Sequence, residues 1–74
     1  MVIAFLLINA EASAEADVLK DMKGIKEVRE ATLVYGVYDI IARIETDTME
    51  ELKNISRRVR YLNKVRSTLT MIVV

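Results

Sequence analysis

The chain has 74 residues, of which 53% are hydrophobic and 30% are charged, and its eleven acidic side chains balance eleven basic ones. This length suits one domain over residues 1–74, and the apolar content excludes a disordered chain. Cysteine and histidine are absent, which excludes disulfides, thiolate chemistry and the ligands that most transition metals require. A core this small usually needs further support, and assembly with other chains is the remaining source of it.

The first half of the chain predicts a strand, a helix and a second strand. Residues 2–8 are an unbroken apolar run, typical of a strand that is buried on both faces. Apolar residues recur at helical spacing over residues 13–23, with Ser13 as the N-cap and Gly24 at the C-terminus, where a positive φ is favoured. Residues 28–35 return to a strand pattern.

The second half of the chain repeats this order. Residues 38–45 alternate between apolar and polar side chains, apart from Ile41, as a strand does. Thr48 and Glu51 have the spacing of a capping box, which predicts the start of a second helix that ends near Leu62. Residues 65–73 predict the last strand.

These six elements predict an α+β, ferredoxin-like βαββαβ fold, with a four-stranded antiparallel sheet and both helices on one face. The right-handed crossover rule places the first and third strands at the centre of the sheet. A shift of 37 residues superimposes the halves, aligning Ile3 with Ile40 and Val18 with Ile55. We therefore expect two equivalent halves.

The repeat also predicts which side of the first strand faces the helices. It places Ile3, Phe5 and Leu7 on the helix side, together with Ile40, Ala42 and Ile44. The open side then receives a set of apolar side chains: Val2, Ala4, Leu6, Ile8 and Ile41. Water would contact this set in a monomer, so we expect a homodimer through the open sheet face, with a lightly covered surface patch as the alternative. On this assignment, Leu6→Glu is expected to separate the dimer without unfolding it.

The turn between the second and third strands carries the strongest candidate chemistry. Residues 35–39 place two phenols and the Asp39 carboxylate around Gly36. Glycine lets main-chain N–H groups approach a ligand closely, and a carboxylate can pair with an ammonium group. An ordinary hairpin with packed tyrosines explains the same residues without a ligand.

Two charged clusters have simpler explanations than a site. Cations lie along residues 53–66 with no acid between them, and they complement the dipole near a helix C-terminus, so we expect no direct nucleic-acid binding. Acidic residues at 45–51 are explained in part by helix capping, so we expect no metal and no cofactor. No apolar run is long enough for a membrane span or a signal peptide, and we expect a cytoplasmic protein.

A family resemblance emerges from these motifs in order. The chain has Gly36-Val37-Tyr38-Asp39-Ile40 in the central hairpin, then Asp47 and Glu51-Leu52 at the second helix, and Val65-Arg66-Ser67-Thr68-Leu69-Thr70 in the last strand. This arrangement resembles the effector-sensing RAM domain of the Lrp/AsnC regulators over essentially the whole chain.

The resemblance implies a sheet-mediated dimer, assembly of dimers into rings that are often octamers, and an amino-acid effector bound near the hairpin. Carried over by motif, the ligand-binding residues are Gly36, Tyr38 and Asp39, with Thr68 and Thr70 as weaker candidates. The first strand begins at residue 2, so we expect a stand-alone sensing domain without the family's helix-turn-helix. Mixed assembly with full-length Lrp/AsnC regulators is a further hypothesis.

The predicted function is a non-enzymatic, amino-acid-binding oligomeric module involved in transcriptional regulation. One alternative is an ACT-like regulatory domain, which has the same element order but normally places a glycine in the first strand-to-helix loop. Another is a small dimeric α+β barrel enzyme, which would need a histidine or an isolated carboxylate between sheet and helices. The predicted inner faces offer neither.

Overall fold

A computed structural model describes all 74 residues and contains the predicted elements in the predicted order. They are β1 (Val2–Ala10), α1 (Glu15–Lys23), β2 (Val28–Leu33), β3 (Ile40–Thr46), α2 (Met49–Arg60) and β4 (Val65–Ile72). The strands form one antiparallel sheet in the order β2-β3-β1-β4. The ferredoxin-like prediction is confirmed, including the central position of β1 and β3.

Both helices pack on the same face of the sheet. Val18 and Met22 of α1 and Leu52, Ile55 and Val59 of α2 are buried in one core with the sheet residues beneath them. These positions recur every three or four residues, so one stripe of each helix enters the core while charged residues face water. Neither helix is long and apolar enough to cross a membrane.

The two faces of β1 are the reverse of the prediction. Ala4, Leu6 and Ile8 are fully buried under the helices, opposite Ile44, Ala42 and Ile40 of β3. The side chains between them, Ile3, Phe5 and Leu7, are only half-buried and lie on the open face. Leu6→Glu would therefore place a charge in the core, and the expectation that it would leave the fold intact is wrong.

The error comes from a one-residue difference between the strand repeat and the helix repeat. From Ala4 onwards β1 has the same burial pattern as β3 from Ile40 onwards, so the strands repeat after 36 residues. The buried helix positions Val18 and Ile55 repeat after 37. Since side chains alternate between the two faces of a strand, applying the helix offset to the strands exchanges the faces.

One of the three predicted helix-capping residues has its predicted role, and the other two do not. Thr48 caps α2, because its hydroxyl accepts a 3.1 Å hydrogen bond from the Glu51 backbone N–H. Ser13 instead has a φ of 70° in a turn closed by the Ala14 N–H and the Glu11 carbonyl, so it does not cap α1. Gly24 has a φ of −79°, since hydrogen bonds to Asp21 and Met22 tighten the last turn of α1 without a left-handed residue.

The element ends differ slightly from the prediction. α2 ends at Arg60, and the hairpin occupies residues 34–39, which belong to neither β2 nor β3. The predicted strands had extended to Tyr35 and started at Tyr38. The longer hairpin frees Asp39 from the strand, and its side chain turns towards β1.

Candidate functional site

A cavity of about 540 Å³ opens at the end of the sheet where β1 finishes and β3 and β4 begin. Its lining consists mostly of polar side chains from four parts of the chain: Asn9, Ala10, Ala12, Glu15, Asp39, Arg66 and Ser67. The antiparallel register creates this meeting point, because β1 pairs with both β3 and β4. We call it the Asp39 cavity.

Asp39 is held in place by both its backbone and its side chain. Its N–H donates to the Ile8 carbonyl at 2.9 Å, and its Oδ2 accepts from the Ala10 N–H at 2.9 Å. The Asp39 carbonyl accepts from Val34 N–H across the hairpin. One carboxylate oxygen is therefore used to position the group, and the other is available to a ligand.

The Asp39 cavity contains both signs of charge. Glu15, at the start of α1, has a buried Oε2 with no hydrogen-bond partner. Arg66, near the start of β4, makes no ion pair within the chain. A buried carboxylate oxygen without a partner raises the free energy of the empty site. A ligand with an ammonium group and a carboxylate would find a partner for each.

The two other hairpin candidates do not line this cavity. Gly36 has a φ of 146° and open space around it, which explains the glycine by backbone conformation alone. Tyr38 is half-buried and Tyr35 is fully exposed. The hairpin tip therefore projects into solvent, and in a single chain Asp39 alone of the predicted hairpin residues reaches the cavity.

Thr68 and Thr70 lie elsewhere, on the helix side of β4. They pair across the sheet with Ile8 and Leu6 and line a groove beside α2. One chain therefore does not bring its two threonines together with Asp39.

Several residues that line the Asp39 cavity were not predicted from the sequence. The basic stretch that contains Arg66 was explained by the helix dipole, and Glu15, the first residue of α1, belonged to no motif. Asn9 carried a usable signal, because it is a polar residue that ends an apolar strand. Its side-chain amide donates to the Ser67 hydroxyl at 3.2 Å, which joins β1 to β4 at the cavity wall.

Two of the four acidic side chains near the start of α2, those of Glu45 and Glu51, have partners within the chain. Glu45 pairs with Arg43 and lies 3.9 Å from Arg29, and Glu51 accepts a hydrogen bond from the Thr48 hydroxyl. No group of His, Cys, Asp or Glu side chains in the chain is arranged to hold a metal ion.

The open sheet face carries an apolar centre. Leu7 lies between Ile41 on β3 and Leu69 on β4, and Phe5 lies beside Met71. Leu69 and Met71 of β4 are 44% and 47% exposed in the single chain. No helix of the chain covers this face, and its centre is a continuous apolar surface.

Comparison with known proteins identifies relatives of the whole chain. A family model described as the Lrp/AsnC ligand binding domain matches residues 3–74. The HTH-type transcriptional regulator FL11 of Pyrococcus furiosus is 33% identical over 72 residues, which are 97% of this chain and 48% of that protein. The chain thus spans about half the length of the curated relatives it matches.

Solved structures agree with this result. The crystal structure of FFRP-DM1 has a TM-score of 0.95 and 39% identity, and the match covers all of both chains. The hypothetical protein PHS023 from Pyrococcus horikoshii has a TM-score of 0.92 and 39% identity over all of this chain and 90% of that one. The M. tuberculosis feast or famine regulatory protein Rv3291c, complexed with L-methionine, has a TM-score of 0.83 at 21% identity, over all of this chain and 50% of that one; this last likeness shows a shared fold.

Proposed function

Because the chain belongs to the Lrp/AsnC ligand binding domain family, we propose that it binds a free amino acid in the Asp39 cavity and acts as a sensing module in transcriptional regulation. The single observation that carries the proposal is that two carboxylates, of Glu15 and Asp39, and the Arg66 guanidinium line the same cavity. The curated relatives of the chain are transcriptional regulators. Rv3291c, which has a similar fold, was crystallised in complex with L-methionine.

The charges of the Asp39 cavity suit the two ends of an amino acid. The ligand ammonium would take the carboxylates of Glu15 and Asp39, which both line the cavity, as acceptors. The ligand carboxylate would take Arg66 as its donor, which allows two parallel hydrogen bonds. The backbone hydrogen bonds of Asp39 fix its position before the ligand arrives, so less ordering is required on binding.

The remaining predicted ligand residues need a second chain. Gly36 and Tyr38 belong to the projecting hairpin, and Thr68 and Thr70 line a different groove. They can contact a ligand in the Asp39 cavity only if a neighbouring chain brings its own hairpin or β4 to that cavity. Assembly of dimers into a ring, such as an octamer of four dimers, would provide such a neighbour.

The dimer itself is proposed to form through the open sheet face. Phe5, Leu7, Leu69 and Met71 would pack against the same residues of a second copy about a two-fold axis. The charged pair Arg43 and Glu45 lies beside this centre. An apolar centre with charged neighbours is the usual composition of a specific interface. Longer Lrp/AsnC regulators with a similar sheet are candidates for mixed assembly, which co-purification would test.

The proposal is tested by calorimetric titration of the protein with each of the twenty amino acids. We expect at least one to bind, and we expect both Glu15→Gln and Asp39→Asn to weaken that binding at least about tenfold, since each removes one charged acceptor. These substitutions keep the size and hydrogen-bonding capacity of the side chain, so the fold should persist.

Glu50→Gln is the matched control, because Glu50 is exposed on α2 and lies outside the cavity. Its affinity should equal that of the parent protein. The absence of heat with all twenty amino acids at millimolar concentration would refute the proposal.

A further inference from the structure

The charges that line the Asp39 cavity are unequal in number. The lining contains the carboxylates of Glu15 and Asp39 and a single cation, the Arg66 guanidinium. It therefore has a formal excess of one negative charge. An amino acid with an uncharged side chain has one ammonium and one carboxylate, so its binding would leave this excess in place.

No other cation of the chain neutralises either carboxylate. Neither Glu15 nor Asp39 makes an ion pair, and the one hydrogen bond to the Asp39 side chain comes from a neutral group, the Ala10 N–H. The Lys64 Nζ lies 3.8 Å from an Asp17 carboxylate oxygen, and neither of these residues lines the cavity. Within one chain, a second cation can come only from the ligand.

The residues that a neighbouring chain would add to this cavity carry no charge. They are the remaining predicted ligand residues of the hairpin and of β4: Gly36, Tyr38, Thr68 and Thr70. Their hydroxyl groups can donate hydrogen bonds to a carboxylate, but they do not cancel its charge. Assembly into a ring through these residues would therefore keep the excess negative charge of the cavity.

The lining of the cavity also disfavours an aliphatic ligand side chain. Its only apolar residues are Ala10 and Ala12, and each contributes a single methyl group. Asn9 and Ser67 are polar and form a hydrogen bond to each other at 3.2 Å. An aliphatic side chain would displace water from the carboxylates without replacing its hydrogen bonds, which is unfavourable. A side chain that donates hydrogen bonds suits this lining.

Resting on the function proposed above, we propose that the amino acid in the Asp39 cavity has a cationic side chain, as lysine, ornithine and arginine have. Asp39, which backbone hydrogen bonds hold in place, accepts from the α-ammonium of the ligand. The α-carboxylate pairs with Arg66, and the side-chain cation pairs with Glu15 in the first turn of α1. The occupied cavity then contains equal numbers of positive and negative charges, and each carboxylate has its own cation.

The test compares lysine with norleucine, which has the same straight carbon chain and lacks only the ε-ammonium. Both are titrated into the protein by calorimetry, and amide NMR locates them through shifts at Ala10, Asp39 and Ser67. We expect lysine to bind at least about tenfold more tightly. A cavity that recognised the carbon chain would give the opposite order, because norleucine is the more apolar ligand. Nε-acetyllysine, which is longer than norleucine but has no side-chain charge, should bind at least about tenfold more weakly than lysine.

Two carboxylate variants assign the two cations of the ligand. Glu15→Gln should weaken lysine binding at least about tenfold and norleucine binding less than about threefold, so the preference for lysine is largely lost. Asp39→Asn should weaken both ligands by similar factors, because the α-ammonium is common to them. Glu50→Gln is again the control and should change neither affinity, since Glu50 is exposed on α2 outside the cavity.

Two results would overturn this inference and leave the proposed function in place. One is norleucine binding in the Asp39 cavity as tightly as lysine, a comparison that needs no variant. The other is an unchanged preference for lysine in a folded Glu15→Gln protein, which would place the side-chain cation elsewhere. Failure of all twenty amino acids to bind would refute the proposed function and this inference together, so the two failures are distinguishable.

Discussion

Two neighbouring leucines on β1 should respond in opposite ways to the same substitution. Leu6 is fully buried under the helices, whereas Leu7 lies on the open face between Ile41 and Leu69. We predict that Leu6→Glu unfolds the domain and that Leu7→Glu leaves a folded monomer.

The effect at Leu6 follows from the size of the lost contact. Removal of a buried leucine side chain costs about 2–5 kcal/mol, and the new carboxylate must either remain charged in the core or take up a proton there. Domains are stable by only about 5–15 kcal/mol, and small ones lie at the low end. The substitution is therefore large enough to unfold most of the population.

Leu7→Glu is expected to weaken dimerisation and to leave the fold of each chain intact. Because most of the Leu7 side chain is already buried, dimerisation would bury at most about a third of it, which contributes about 0.5–1 kcal/mol per side chain. The two-fold axis doubles this loss to about 1–2 kcal/mol, which raises the dimer dissociation constant roughly five- to thirtyfold. Apposition of the two new glutamates across the axis would weaken the dimer further.

Sedimentation velocity and far-ultraviolet circular dichroism together measure both outcomes. Asn54→Glu is the control, since Asn54 is exposed on α2, away from the open sheet face and the hairpin, and should change neither association nor helix content. If Leu7→Glu sediments as the parent protein does, the open face is not the dimer interface. If Leu6→Glu remains folded, the assignment of the two faces of β1 is incorrect.

Two further predictions concern local structure and are measured by urea denaturation. Thr48→Ala should lower the free energy of unfolding by about 1 kcal/mol, because the Glu51 N–H loses its acceptor; Thr48→Ser should retain most of the stability, and an equal loss in both variants would contradict the capping role. Gly36→Ala should cost about 1–3 kcal/mol although no atom lies within 4 Å of the new Cβ. The reason is the φ of 146° at Gly36, and an unchanged midpoint would show that the hairpin adopts another conformation without strain.

The Asp39 cavity could be predicted only in part. The hairpin motif indicated Asp39, and the structure places this residue in the largest polar cavity of the chain. Glu15 and Arg66 are far from Asp39 in sequence, at the starts of α1 and β4. Their proximity depends on how β1 pairs with both of its neighbours, and local sequence patterns carry no information about such pairing across the sheet.

The sequence by itself determined the order of the elements, the sheet topology and the start of α2. These features depend on local periodicity, on the Thr48 and Glu51 pair, and on the handedness of crossovers, all of which can be recognised from neighbouring residues. The apolar residues of β1 also showed that both of its faces are buried to some degree.

Only the tertiary structure decided which face of β1 meets the helices. Every residue of β1 from Val2 to Ile8 is apolar, so the sequence offers no polar side chain to mark the open side. The pairing of Leu6 with Ala42 and of Leu7 with Ile41 assigns the two faces of β1, because partners across antiparallel strands project to the same face. A strand that is apolar on both sides carries no face preference of its own, and the partner strand provides one.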